Sequence, residues 1–152
     1  MVFDTLEGFG VLEEPILITV ANHRVTEVQG KSEPAAWLRR QLRNHENADY
    51  VCEVTWGIHP KVDRRLGLES RNPDTILYRN PGVWHAGIGM WPGVGVPSRF
   101  HWDGGGMNST LEIGEQTIID GGRLLILEDP ELREIAAKFG DPDELLAAEV
   151  RS

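Results

Sequence analysis

Tyr50-Val-Cys-Glu-Val-Thr-Trp56, cut off by Gly57 and Pro60, is the stretch that decides the fold. β-branched and aromatic residues crowd it, and no helical spacing runs through it. Alternation along a strand puts Val51, Glu53 and Thr55 on one side and Cys52 and Val54 on the other. Downstream, strand-like pieces recur at Val83–Met90, Arg99–Asp103, Thr110–Ile113, Gln116–Ile119 and Arg123–Leu127, with Gly114-Glu115 at a hairpin turn. Upstream, Pro15–Val20 and Arg24–Val28 form a second hairpin around Asn22-His23, and Gly30 ends it. Ser32-Glu33-Pro34 then opens a helix, with Ser32 as cap, Ala35, Leu38 and Leu42 on the inner face, and Arg39, Arg40 and Arg43 toward solvent. Residues 61–81 show no clean period and read as a long loop with at most one helical turn.

The tail changes character. Asp129-Pro130 and Asp141-Pro142 each pair a capping aspartate with a first-turn proline, so two short helices are expected. Leu132, Ile135, Ala136 and Phe139 make the apolar stripe of the first; Leu145, Leu146 and Val150 make that of the second. The expected fold is α+β: a β-rich single domain with a mixed, mostly antiparallel sheet and a barrel-like closure as its curled limit. One helix lies in the N-terminal half and two at the C-terminus.

Composition narrows the function classes. The chain has 152 residues, 15 Lys+Arg against 24 Asp+Glu, and a formal charge of -9. That length suits one domain, and the acidic balance argues against nucleic acid, whose binding needs a basic face. A single cysteine, Cys52, excludes an internal disulfide framework and a thiolate-rich zinc site. No apolar run is long enough to span a bilayer, and Met1 opens into acidic residues rather than a basic signal region, so a cytoplasmic protein without a membrane partner is expected. Glycine and tryptophan are both abundant, and they concentrate between Glu53 and Gly106 together with His59, His85 and His101.

His101-Trp102-Asp103 is the sharpest motif there. Positions i and i+2 of a strand share a side, so the imidazole and the carboxylate stand together as two ligands for one divalent ion. Five histidines among 24 acidic residues produce roughly 0.8 such pairs by chance, so the motif needs its context. Gly104-Gly105-Gly106 follows it and leaves space for a ligand. His85, in Val83-Trp-His-Ala-Gly-Ile-Gly89, supplies a second imidazole. Two histidines and a carboxylate form the open-sided set common in non-haem Fe(II) sites. Glu53, inside an apolar strand, is a fourth candidate as ligand or base, unless the strand is an edge and the carboxylate is solvated. Cys52 reads as a small core residue. Trp56, Trp84, Trp91 and Trp102 are candidates to stack on a planar substrate, with core packing as the alternative for each. His59, at the strand break, and Ser98 with Arg99, ahead of the His-Trp-Asp motif, are candidates for substrate contact.

The order of these pieces resembles the C-terminal catalytic half of the aminopeptidase T family and of its relative, 2,5-dihydroxypyridine 5,6-dioxygenase. The residues that carry the resemblance are Glu53 followed by Trp56-Gly-Ile-His-Pro60, then His85-Ala-Gly-Ile-Gly89, His101-Trp-Asp-Gly104 and Asp120-Gly-Gly-Arg-Leu-Leu125. The lead-in Val2-Phe-Asp4, Gly8-Phe-Gly-Val-Leu12 and Glu14–Val20 is similar too. The resemblance covers residues 1–127 and implies a metal-binding catalytic domain there, with 128–152 a helical extension packed on it. It implies metal ligation by Glu53, His85, His101 and Asp103.

The peptidases add a glutamate before the second of these ligands and a tyrosine after it. Here Leu77–Trp84 holds no carboxylate, and Trp91-Pro92 follows where the tyrosine would stand. The dioxygenase branch carries one Fe(II) and a Trp-Gly turn closer to Trp56–Pro60, but a serine at the place of His85 and a histidine at the place of Glu53. The resemblance therefore implies a mononuclear metal enzyme that opens a hydroxylated aromatic or heteroaromatic ring with O₂. Fe(II) is the favoured ion, with Zn, Co or Mn as others. The alternatives are a metal-dependent hydrolase of aminopeptidase type, with Glu53 as base, and a non-catalytic metal- or partner-binding domain. The relatives' N-terminal half has no counterpart in this sequence, so a homodimer, or a partner supplying that half, is expected to complete the pocket around a small-molecule substrate.

Overall fold

Strand order in space departs from strand order in sequence, and this departure builds the site. The computed structural model describes all residues except 63–64, 66–67, 69–76, 91–95 and 148–152. The main sheet contains β1 (Val2–Leu6), β2 (Gly10–Ala21), β3 (Arg24–Gln29), β4 (Val51–Trp56), β5 (Trp84–Gly89) and β6 (His101–Gly106). Their order is β3-β2-β1-β6-β5-β4, and every neighbouring pair is antiparallel. A second, three-stranded sheet follows from β7 (Leu111–Ile113), β8 (Gln116–Asp120) and β9 (Arg123–Leu124). The architecture is α+β, with nine antiparallel strands and three helices among the described residues.

The main sheet curls until its two outer strands touch. Val25 N–H donates to Asp49 O, and Val51 N–H to His23 O, each at 2.7 Å, around an Arg24–Tyr50 bridge that the Arg24–Asp49 ion pair flanks. Among the described residues the edges meet at that bridge alone, so the sheet is strongly curved and is not a closed barrel. The β2–β3 turn is tight because Asn22 and His23 both take positive φ, the conformation that a two-residue hairpin with matching twist requires.

Helix α1 (Glu33–Asn44) covers the inner face with Ala35 and Leu38, both fully buried. They pack in a cluster with Phe3, Leu6, Ile16, Ile18 and Ile88. Truncating Leu38 to alanine there would cost about 2–5 kcal/mol, the lost transfer plus a cavity. Ser32 holds the cap position, but its side chain makes no capping hydrogen bond and its Oγ is buried without a partner. Pro34 in the first turn limits the unmet N–H groups. Arg39, expected toward solvent, instead donates to Val28 O and Gly30 O and ties the helix to the end of β3.

The tail follows its capping signals. Asp129 accepts from the N–H groups of Glu131 and Leu132 and starts α2 (Pro130–Ala136), and Asp141 accepts from Asp143 N–H and starts α3 (Pro142–Leu146). Arg133 pairs with Asp143 and joins the two. The expected stripe is shorter than its spacing suggested: Ala136 is buried, but α2 ends there and Phe139 is 80% exposed. No helix among the described residues is long and apolar enough to cross a membrane.

Candidate metal centre

Strands β4, β5 and β6 lie side by side, so their register decides which side chains meet. Glu53 is opposite Gly87, and Gly87 is opposite Asp103; one row along, Thr55, His85 and Gly105 align, and His101 faces Gly89. Paired residues share a side of the sheet, as do i and i+2 positions. Glu53, His85, His101 and Asp103 therefore converge on one face. His101 Nε2 lies 3.4 Å from Asp103 Oδ1 and 3.9 Å from Glu53 Oε1, and His85 Nε2 lies 4.0 Å from that same oxygen.

Donor atoms of Glu53, His85 and Asp103 lie within 4.8 Å of one another. Donors around one ion at bond lengths of roughly 2.0–2.2 Å sit within about 4.4 Å of each other, so small side-chain rotations would close this set. Two carboxylates match a divalent charge, and two imidazoles suit a first-row transition metal. Asp103 is buried, while the other three are partly open on one side.

Gly87 makes the space. A Cβ built on it would stand 2.8 Å from Glu53 Oε1, 2.9 Å from Glu53 Cγ and 3.0 Å from His101 Cε1. Any larger residue at the centre of the Glu53–Gly87–Asp103 row would push into the side chains of Glu53 and His101. The Gly104–Gly106 run was expected to leave that room, but its role is different. It is buried strand, where a Cβ at Gly104 would strike the Phe3 ring and one at Gly105 the Trp84 carbonyl and the Tyr78 ring. These glycines admit core side chains, not a ligand.

Cys52 also departs from expectation. The β4–β5 register slips between Val51 and Glu53, a bulge that breaks the alternation. Cys52 thus lies beside the site, with Sγ donating to Gly87 O at 3.2 Å and 3.7 Å from His101 Nδ1. Burial pushes its thiol up to about 11, helped by the negative charges of Glu53 and then Asp103.

Around His85 stand two residues that carry no motif. Thr55 Oγ1 lies 2.8 Å from His85 Nδ1, and the Tyr78 ring stacks on the imidazole from a 3-10 turn at Leu77–Arg79. Tyr78 Oη in turn meets Thr5 Oγ1 at 3.1 Å, and that hydroxyl donates to Gly105 O. Strand alternation already implied Thr55. Tyr78 had no such signal, because its segment shows no period.

Sequence-expected substrate contacts divide. Trp84 and Trp102 alternate with His85, His101 and Asp103, so they occupy the opposite face: Trp84 packs on Phe3 at 5.9 Å, and Trp102 on Trp37 at 4.9 Å with Nε1 donating to Glu7 O. Their stacking role gives way to core packing. Trp56 and His59, with Thr55, Tyr78, Arg79 and His85, line a cleft of about 330 Å³. Ser98 and Arg99 line a separate cleft with His45 and Glu46, and Ser98 Oγ accepts from Phe100 N–H. Trp91 lies outside the described residues.

No protein-family profile and no curated protein matches the chain. Among solved structures, 2,5-dihydroxypyridine dioxygenase from Pseudomonas putida KT2440 matches with a TM-score of 0.65 at 20% identity. The match covers 80% of this chain and 37% of the dioxygenase, so the chain spans little more than a third of that enzyme's length. At this identity the likeness is one of fold.

Proposed function

We propose that the chain is a mononuclear non-haem metal enzyme that opens a hydroxylated aromatic or heteroaromatic ring with O₂, using Fe(II). The observation that carries this reading is the grouping of Glu53, His85 and Asp103 donor atoms within 4.8 Å of one another, with His101 beside it, 3.4 Å from Asp103 and 3.9 Å from Glu53. Its fold is similar to that of 2,5-dihydroxypyridine dioxygenase, which supports the choice of chemistry. A ferrous ion held by these residues would supply the chemistry that activates O₂ and a ring hydroxyl. Ring opening places both atoms of O₂ in the product as one ring C–C bond breaks, and the ring itself supplies the electrons.

The chain's own residues hold and orient. His85, His101 and Asp103 would hold the metal, and Glu53 would complete the set or take the proton of a ring hydroxyl. Thr55 and Tyr78 fix the ring plane of His85. His85 lines the cleft beside the centre, and a second copy of the chain, or a partner, would exclude water there.

Anaerobic loading with Fe(II), followed by O₂ uptake with a panel of dihydroxylated aromatics, tests the reading. Uptake with stoichiometric ring loss is expected, and its absence with every ring would sink it. Glu53 Oε1, about equally far from both imidazoles, would equally serve as base to a metal-activated water, which favours a hydrolase as the second reading. Zn- or Co-supported cleavage of aminoacyl amides, unchanged without O₂, would select that alternative.

A further inference from the structure

The bulge between Val51 and Glu53 brings Cys52 to the second imidazole of the centre. Cys52 Sγ donates to Gly87 O at 3.2 Å and lies 3.7 Å from His101 Nδ1. A thiol carries one proton, and a carbonyl oxygen can only accept. The thiol proton is therefore committed to Gly87 O, and toward His101 the sulfur is left as an acceptor. A hydrogen bond between Sγ and Nδ1 then needs its proton on the ring, as Nδ1–H.

That placement makes Nε2 the lone-pair atom of the ring. Nε2 is also the nitrogen beside the carboxylates, 3.4 Å from Asp103 Oδ1 and 3.9 Å from Glu53 Oε1. Three acceptor atoms so close repel one another unless a cation stands among them, and a divalent ion meets that need. Strand β4 then carries a carboxylate, Glu53, with one partner for each imidazole on either side of it. Thr55 Oγ1 lies 2.8 Å from His85 Nδ1, and Cys52 Sγ is the corresponding neighbour of His101 Nδ1. Gly87 serves both halves: its carbonyl holds the thiol, and its missing Cβ leaves room for Glu53 and His101.

We propose that Cys52 is the positioning residue of His101: its sulfur accepts the Nδ1 proton and so presents Nε2 to the metal ion. The proposal rests on the metal-centre reading and holds equally for oxidative and hydrolytic chemistry. Cys52 acts through the imidazole and is not itself a ligand.

Nitrogen-15 NMR of the His101 ring in the Zn(II)-loaded protein shows which nitrogen binds the ion and which carries the proton. Zinc on Nε2 with the proton on Nδ1 is expected. Cys52→Val should move the Nδ1–H resonance and weaken Zn(II) binding about tenfold or more in chelator competition. Cys52→Ala tests the same contact without the valine methyl groups. Cys52→Ser, whose hydroxyl both donates and accepts, should bind Zn(II) more tightly than either. Zinc on Nδ1, an Nδ1–H resonance unmoved by Cys52→Val and Cys52→Ala, or wild-type affinity in both would overturn the proposal. A sulfur-to-metal charge-transfer band in the Co(II) form would overturn it too, by making Cys52 a ligand. Failure of the wild type to take up any ion would remove the metal-centre reading and this proposal together; uptake with an unresponsive Nδ1–H removes the role of Cys52 alone.

Discussion

The ring of Tyr78 lies flat against the ring of His85, centroids 4.5 Å apart and planes 9° from parallel. Tyr78 is 3% exposed, and its hydroxyl is tied to Thr5 on β1. The imidazole therefore leans on a side chain that is itself immobilised. Tyr78→Leu removes the flat support and is expected to weaken metal binding about 10–100-fold, as loss of an outer partner does elsewhere. Tyr78→Phe keeps the stack, so it should cost only about 1 kcal/mol of stability with near-native metal affinity. Chelator competition and urea melts on both variants separate the two effects.

Gly87→Ala puts a methyl group into the centre of the donor set. Its nearest contacts are side-chain atoms of Glu53 and His101 rather than backbone, so the fold can adjust at about 1–3 kcal/mol. The site cannot adjust without losing its geometry. A folded variant with metal content well below wild type is the expected outcome, read by circular dichroism and elemental analysis. A variant that keeps full metal content would show that the donors do not close over this point.

Metal addition should raise the melting temperature. A ligand that binds only the native state adds about 2.7 kcal/mol at a hundred times its Kd, or roughly 5–10 °C for a domain of this size. His101→Ala and Asp103→Ala are each expected to abolish the shift, because each removes a converging donor. Thermal melts with and without Fe(II), Zn(II) or Mn(II) check this directly. A shift that survives both substitutions places the ion elsewhere.

Cys52 should be a slow thiol in the metal-free protein. Its pKa rises from the ordinary 9.0 to about 11, chiefly through burial and then through Glu53. The thiolate is therefore scarce at pH 8, and reaction with a disulfide reagent should lag behind a free cysteine by about a hundredfold. Because the folded value is the higher one, the thiol's contribution to stability is complete below pH 9 and is lost as pH climbs toward 11. Glu53→Gln removes one cause of the rise and should speed the reaction. Rates measured against pH for both proteins decide it.

The shared face of the candidate residues was legible because alternation is a local rule. His101 and Asp103, two apart, share a side in any strand, and β6 is a strand. That rule also separates Trp84 from His85 and Trp102 from its two neighbours, so the core role of both tryptophans was implicit in the same spacing. Partner-dependent features were not legible. The bulge at Cys52 exists only against β5, and Gly87 matters only because Glu53 and Asp103 flank it in register. Tyr78 lies in an aperiodic stretch and is placed by Thr5, 73 residues earlier. Eight of the nine strands were anticipated near their observed positions; β1 (Val2–Leu6) was not read as a strand. The expected strand Arg123–Leu127 gives way to a 3-10 turn after Leu124. β2 begins five residues earlier than its apolar run, because pairing with β1 carries Gly10–Glu14 into the sheet.

The placement of β1 between β2 and β6 has a consequence in time. Thr5 pairs with Gly105, so the middle of the main sheet joins segments a hundred residues apart, while β1 to β3 and β5 to β6 are linked through much shorter loops. Closing so long a loop costs entropy before any contact rewards it, and folds dominated by such pairings form slowly. The chain is thus expected to gather as an N-terminal meander and a β4–β5–β6 unit whose docking along β1 is the late event. Tyr78 takes its hold on Thr5 only at that docking, so the rigid form of the metal centre would be the last part of the molecule to mature.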